Sequence, residues 1–330
     1  MQTMAADDNR PMSTAFATNG VVRLAHWGLM RARGADAARF LHGQLTKDML
    51  QLAADRAVPA GFCSAKGRLQ ASFIVWRTGA DELLLACAAD LLAATLKRLS
   101  MFVLRAQCKL SDASAELPLH GLAGEAAAVR LGDVPVWARR DTAEGTLIRL
   151  PDADGVPRAL LAGNAPAGLP AITLDAWRWL EVGSGVPLIE AATVDQFVPQ
   201  MVNLELVGGV DFQKGCYPGQ EVVARSQYRG TLKRRMFLFD VPAEARAGQE
   251  IFHSADPGQP AGRVANAAPA PNGGARLLAA FACPADCPLD GEALFLGRRV
   301  VRRTFVKHHR DVRAERALDF HRFFRSEKQQ

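Results

Sequence analysis

The chain has 330 residues, too many for one ordinary hydrophobic core, so two or three packed units are expected. Hydrophobic residues make up 49% and charged residues 22%, as in soluble globular proteins, and no apolar run reaches the roughly 20 residues of a membrane span. The net charge is +6, but residues 301–330 hold nine Lys/Arg against four Asp/Glu, a surplus of five, so the body is near neutral and argues against a phosphate-gripping surface. Six scattered cysteines do not make the dense framework of a secreted disulfide scaffold, which points to a reducing cytoplasm. Residues 1–19 include Asp7, Asp8, Asn9, Arg10 and Pro11 and lack an apolar h-region, so they read as a flexible leader and not a signal peptide.

Trp27–Arg33 reads as a short strand. Asp36 then caps a helix with Ala37, Phe40 and Leu41 on one face and Gly43 after it. Apolar runs at 60–65 and 69–77 meet at Lys66-Gly67, a hairpin turn. Another turn leads to a strand over 82–88, Asp90 caps a second helix to about Met101, and 102–110 returns as a strand. The order β-α-β-β-β-α-β predicts an α+β sandwich with a largely antiparallel sheet. Residues 116–168 repeat this style less clearly, with turns at Gly132-Asp133 and over 152–155. Leu174–Val182 reads as a helix ended by Gly183-Ser184-Gly185. From Arg234 onward, short strands alternate with turns at Val241-Pro242, Asp256-Pro257-Gly258, Pro271-Asn272-Gly273-Gly274 and Asp290-Gly291. That spacing, about ten residues, suits a small β-barrel or sandwich. The chain thus divides into a leader (1–19), a main region (20–232), a C-terminal β-barrel (233–307) and a basic, helical tail (308–330).

One segment stands apart: Lys214-Gly215-Cys216-Tyr217-Pro218-Gly219-Gln220-Glu221. Pro218 suits the first turn of a helix that Gly230 ends. Cys216 then lies just ahead of a helix N-terminus with Lys214 nearby, and dipole and cation both favour the thiolate. Glu221 competes for the same positive end, and a small packed hydrophobe is the alternative reading of a free cysteine. Other signals are weaker. Cys283 and Cys287 form a CxxxC pair without a second pair, His308, His309 and His321 lie in the charged tail, and Gly183-Ser184-Gly185 lacks a dinucleotide fingerprint. The basic row Arg229, Lys233, Arg234 and Arg235 reads as a solvated face, with contact to a polyglutamyl tail, RNA or a partner as the alternative.

The motif Lys-Gly-Cys-Tyr-x-Gly-Gln-Glu resembles the signature of the YgfZ-type folate-binding proteins of the glycine-cleavage T-protein superfamily. Phe197-Val198-Pro199-Gln200, Asn203-Leu204-Glu205 and Phe40-Leu41-His42-Gly43-Gln44-Leu45-Thr46-x-Asp48 are similar to the same family, as is Ala65-Lys66-Gly67-Arg68. The resemblance runs from about residue 22 to 235. It implies two mixed α/β sandwich subdomains around a central opening, followed by the β-barrel. It also implies tetrahydrofolate or a related folate as ligand, with Trp27 and Trp177 (Trp179 as a second candidate) in contact and Glu190 and Arg225 completing the set. Cys216 and Lys214 then carry the chemistry, framed by Gly215, Tyr217, Gly219, Gln220 and Glu221. The implied role is a cytoplasmic accessory protein for iron–sulfur enzymes, including those of tRNA modification, with no direct nucleic-acid or membrane partner and no metal site. T-protein's own aminomethyl transfer uses a carboxylate where this chain has Gln70, Ala71 and Ser72, and its pterin-holding glutamate is matched by Glu190 only at shifted spacing. A folate-dependent aminomethyl or methyl transferase is therefore the alternative, and a basic RNA-binding module a weaker one.

Overall fold

The computed structural model describes residues 15–228, 234–253, 256–282, 294–296 and 299–301. Its first strand, β1 (Gly20–Arg23), pairs with β7 (Leu119–Ala123), across the whole of an intervening sheet. That first sheet holds β2 (Trp27–Arg33), β3 (Ala57–Cys63), β4 (Leu69–Gly79), β5 (Glu82–Ala88) and β6 (Lys109–Asp112), in the order β3-β4-β5-β2-β6, all antiparallel. With α1 (Ala37–His42) and α2 (Ala89–Val103) it reproduces the β-α-β-β-β-α-β order of the sequence reading. β4 and β5 are apolar almost throughout because both their faces are covered. Leu83, Leu85 and Cys87 enter one core with Phe73 and Val75, while Leu84 and Ala86 enter another with Ile74 and Trp76.

The second core joins this sheet to the next, ordered β1-β7-β10-β9-β8 with β8 (Arg139–Thr142), β9 (Gly145–Ala153) and β10 (Val156–Gly163). α3 (Glu125–Leu131) closes its outer face over Leu122, Leu147 and Leu161. α4 (Leu174–Gly183) sinks Trp177 and Leu180 into the core between the sheets. Its Thr173 cap accepts from Ala176 N.

The third sheet contains β11 (Arg234–Val241), β12 (Glu250–His253), β13 (Asp256–Pro269), β14 (Ala275–Ala282), β15 (Leu294–Leu296) and β16 (Arg299–Val301). Their order is β11-β14-β13-β12-β15-β16. Phe239, Val264, Leu277 and Phe281 form its own core, and Met236, Leu278 and Ala280 on the opposite face join the core of the first sheet. Arg276 of β14 pins it to the second sheet, bonding Asp154 at 2.5 Å and Asp240 at 2.8 Å with its guanidinium 3.8 Å over the Trp179 ring.

Several expectations change. The C-terminal strands form an open sheet among the described residues, not a closed barrel, since no ladder joins the edge strands β11 and β16. The apolar run at 102–110 is not one strand: Phe102 and Val103 finish α2, Leu104 breaks it at φ +44, and β6 starts at Lys109. Asp256-Pro257-Gly258 opens β13 and makes no separate turn. Residues 1–14, Cys283, Cys287, Asp290-Gly291 and the tail from 308 lie outside the described residues.

Gly121 on β7 faces Trp177, and a methyl group there would stand 2.5 Å from ring atom Cε3. Gly121→Ala is expected to cost about 1–3 kcal/mol through overpacking. The measurement is urea unfolding, with a lower midpoint at unchanged m-value.

Candidate functional site

Residues 186–194 run between the sheets and are held from three directions. Ser72 of β4 accepts from Ile189 N at 2.9 Å and donates to Pro187 O at 3.2 Å. Asn266 of β13 pairs with Leu188 through both its amide atoms, at 3.1 and 2.7 Å. Asp90 in the first turn of α2 accepts from Ala191 N at 3.0 Å, so its carboxylate serves this segment and not its own helix cap. Against the segment lies a small cavity walled by His26, Arg178, Glu181, Leu188, Glu190 and Asn266. Arg178 and Glu190 also wall a cleft of about 560 Å³ that continues to Asp90, Glu244 and Arg246. Burial pushes the Glu190 carboxyl up, with Asp90 and Glu181 adding to it against Arg178 and Asn266.

Glu181 is where the two predicted tryptophans meet. Its carboxylate accepts from Trp27 Nε1 at 2.8 Å and Trp177 Nε1 at 3.3 Å, and His26 Nε2 stands 2.8 Å away. Burial favours the neutral acid, but His26, Arg158 and the Trp27 N–H outweigh it and hold the carboxyl below its ordinary range. Arg158 is itself buried, 5.2 Å from the Trp177 ring, and burial lowers its pKa to about 10. Neither tryptophan lines the cavity. Trp27 is half-buried, Trp177 has no exposed surface, and both reach the cavity through Glu181. Trp179 lies instead under Arg276.

The cysteine motif forms a second cluster. Gly219 has φ +77, and a Cβ on it would fall 2.4 Å from Ser64 O and 2.6 Å from Gly67 Cα. Only glycine lets this turn interlock with the β3–β4 hairpin turn, where Gly67 has φ +69. α5 (Gln220–Tyr228) begins after Gly219, so Pro218 stands outside the helix and Cys216 is four residues ahead of it. Lys214 is buried, and its ammonium donates to His42 O at 2.6 Å, Leu45 O at 3.0 Å and Gly215 O at 3.2 Å, with the Tyr217 ring 4.8 Å away. Burial pulls Lys214 down to about 8, against Asp48, Asp211 and Cys216. Burial also pushes the Tyr217 phenol above its ordinary range. Gln220 Nε2 reaches back to Lys214 O at 3.4 Å, while Glu221 is exposed. Cys216 is exposed, whereas burial pushes the thiols of Cys63 and Cys87 up to about 12 and that of Cys108 to about 11.

Arg225 is exposed on α5 and lines neither cavity, because α5 turns its buried residue, Val223, the other way. Arg235 is not solvated as the sequence suggests: it pairs with Glu205 and donates to Gln200 O. Sequence reasoning missed Glu181, although its position one helical turn after Trp177 was a usable signal. It also missed His26, Arg158 and Asn266, and for Asn266 no local signal existed. Among the described residues, no group of three or more His, Cys, Asp or Glu is placed to hold a metal ion, and no helix is long and apolar enough to cross a membrane.

Comparison with known proteins agrees with the family resemblance of the sequence. The tRNA-modifying protein YgfZ of Edwardsiella ictaluri is 33% identical over 303 residues, 85% of this chain and 89% of that protein. The chain belongs to the YgfZ family. The YgfZ protein of Escherichia coli K12 is 29% identical over 257 residues, 73% of this chain and 78% of its own length. Among solved structures, the glycine cleavage system aminomethyltransferase T from Bartonella henselae matches with a TM-score of 0.69 at 17% identity, covering 89% of this chain and 87% of that one. At that identity the likeness shows the mixed α/β fold that this YgfZ-family chain shares with T-protein. No family model matches the chain.

Glu181 has a folded pKa below its unfolded value, so its contribution to stability is present above about pH 4.5 and is lost as pH falls through the folded pKa. Glu181→Gln should therefore flatten the acid side of the stability–pH curve. The check is urea unfolding of both proteins from pH 3 to 7.

Proposed function

We propose that this protein binds a reduced folate, tetrahydrofolate or a close relative, in the opening beside Glu181 and Glu190. We further propose that Cys216 serves thiol chemistry that maintains iron–sulfur enzymes, those of tRNA modification among them, in the cytoplasm. The folate-binding region is taken as 20–232, and 233–307 as a following unit that contributes Asn266 and Arg246 to the site. The observation that carries the folate reading is the polar set at the cavity: the Glu190 carboxyl, the Asn266 amide, Arg178, and a buried His26 Nδ1 without a partner. Carboxylate and amide groups suit the N–H and carbonyl edge of a pterin ring, and Arg178 and Arg246 along the larger cleft suit a glutamate tail. The cleft volume falls within the roughly 300–1,000 Å³ of small-molecule sites. A bound reduced folate would supply a carrier for one-carbon units. The protein's part is to orient it, with Trp27 and Trp177 fixing Glu181 and Asn266 fixing the chain at Leu188.

Aminomethyl transfer is not part of the proposal. Residues 70–72 offer no carboxylate, and the Ser72 hydroxyl is engaged with Pro187 O and Ile189 N. The relatives' name, tRNA-modifying protein, supports the link to tRNA modification. The exposure of Cys216 supports a thiol that a protein partner can reach.

The test is titration with tetrahydrofolate followed by tryptophan fluorescence. Wild type should saturate, Trp27→Ala, which removes a donor from Glu181, should bind more weakly by roughly 1–2 kcal/mol, and Cys216→Ala should bind as wild type does. Absence of saturable binding removes the folate reading, and substantial turnover of an aminomethylated carrier protein overturns the exclusion of aminomethyl transfer. Separately, Cys216→Ala should fold normally yet fail to restore iron–sulfur enzyme activity in cells lacking the protein under oxidative stress. Full complementation would remove Cys216 from the proposed function.

A further inference from the structure

His42 ends α1 and is held at both its backbone and its ring. Its carbonyl accepts from Lys214 Nζ at 2.6 Å, and its Nδ1 lies 3.0 Å from Asp48 Oδ1. Asp48 Oδ1 also accepts from Leu50 N at 2.7 Å and Gln51 N at 3.1 Å, so the carboxylate is fixed before it meets the ring. Burial raises the Asp48 pKa, but these backbone donors and His42 outweigh it and leave the carboxyl below its ordinary range. With Nδ1 turned to the carboxylate, the free ring nitrogen is Nε2. It stands 3.3 Å from the point where a side chain on Gly215 would begin, against the residue that precedes the exposed Cys216. A glycine at 215 leaves the imidazole room for that approach.

The sequence reading gave Lys214 the task of activating the thiol. In the structure all three of its donors are engaged, by the carbonyls of His42, Leu45 and Gly215. It is a positioning residue that ties α1 to the cysteine loop. The imidazole keeps proton-accepting capacity at Nε2 beside that loop.

We propose that His42, oriented by Asp48, is the proton acceptor for the Cys216 thiol. This rests on the reading of Cys216 as a reactive thiol. The S–H bond breaks, its proton passes to His42 Nε2, and the electron pair stays on Sγ. The imidazolium so formed faces the Asp48 carboxylate through Nδ1–H, the arrangement that orients the base in other nucleophile–base–carboxylate sites. The charged groups carried by α1, the loop after it, the β3–β4 turn, the cysteine loop and α5 are Arg39, Lys47, Asp48, Lys66, Arg68, Asp211, Lys214, Glu221 and Arg225. Of these, Asp48 alone bonds to the ring.

The experiment is iodoacetamide alkylation of Cys216 in the full-length protein from pH 5 to 10, read by peptide mass spectrometry. In that reaction a C–S bond forms and iodide leaves. Wild type should react well below the roughly pH 8.5 midpoint of a free thiol. His42→Gln should lose about ten-fold or more of the rate at pH 6.5, with the gap closing above about pH 9.5, where the thiol ionises without help. Asp48→Asn keeps an acceptor for Leu50 and Gln51 and should fall between the two. As a second readout, alkylating Cys216 should lower the His42 midpoint in NMR titrations of the wild-type protein, which a purely structural histidine would not show. A wild-type rate no faster than a cysteine peptide overturns the reactive-thiol reading itself. A fast wild type with superimposable His42→Gln and Asp48→Asn profiles, or an unmoved His42 midpoint, overturns the role of His42 alone.

Discussion

A carboxylate shut away from water is costly unless donors meet it. Glu181 is such a group, and its donors come from separate parts of the chain. Trp27 opens β2 of the first sheet, His26 precedes it and Trp177 lies one turn back on α4, while Arg158, on β10 of the second sheet, contributes its positive charge. Satisfying one buried charge thus sets how the two sheets and α4 sit together. The same carboxylate forms part of the cavity wall, so packing and recognition draw on one set of bonds.

The segment after α4 transmits this arrangement to the third sheet. Asn266 meets Leu188 as a strand neighbour would, with one amide atom donating and the other accepting. Ser72 does the same for the first sheet. The cavity walls therefore come from the residue before β2, from α4 and the segment after it, and from β13, and none of these alone makes a site. The cysteine cluster depends on a different device, the direct backbone contact of Gly67 with Gly219 and the bridge of Lys214 to the end of α1. Both clusters lean on β4, through Ser72 within the strand and through Gly67 at the turn before it.

The local order of the first sheet was readable because strand alternation and turn residues are properties of neighbours. Trp27–Arg33 and Glu82–Ala88 have the observed limits of β2 and β5. The tryptophans were readable through the family likeness, but their depth was not, since burial of Trp177 depends on Gly121 from a distant strand. The sequence put Lys214 beside the cysteine, but its carbonyl partners at His42 and Leu45 were not legible, because they are far away in sequence. The barrel expectation failed for a related reason: turn spacing reports hairpins, whereas closure depends on register between edge strands, which no single hairpin encodes.

The pairing of β1 with β7 has a consequence for the order in which the protein is made. Gly20 finds its ladder partner in Ala123, about a hundred residues later. At translation rates of about 5–20 residues per second, β1 waits on the order of ten seconds for that partner to be synthesised. The first sheet, contiguous from Trp27 to Asp112, is complete in sequence before the second has more than one strand. Nascent chains therefore build the first sheet ahead of its neighbour and carry β1 alongside as a loose end. A ribosome stalled before residue 119 holds a chain whose opening strand has nothing to pair with.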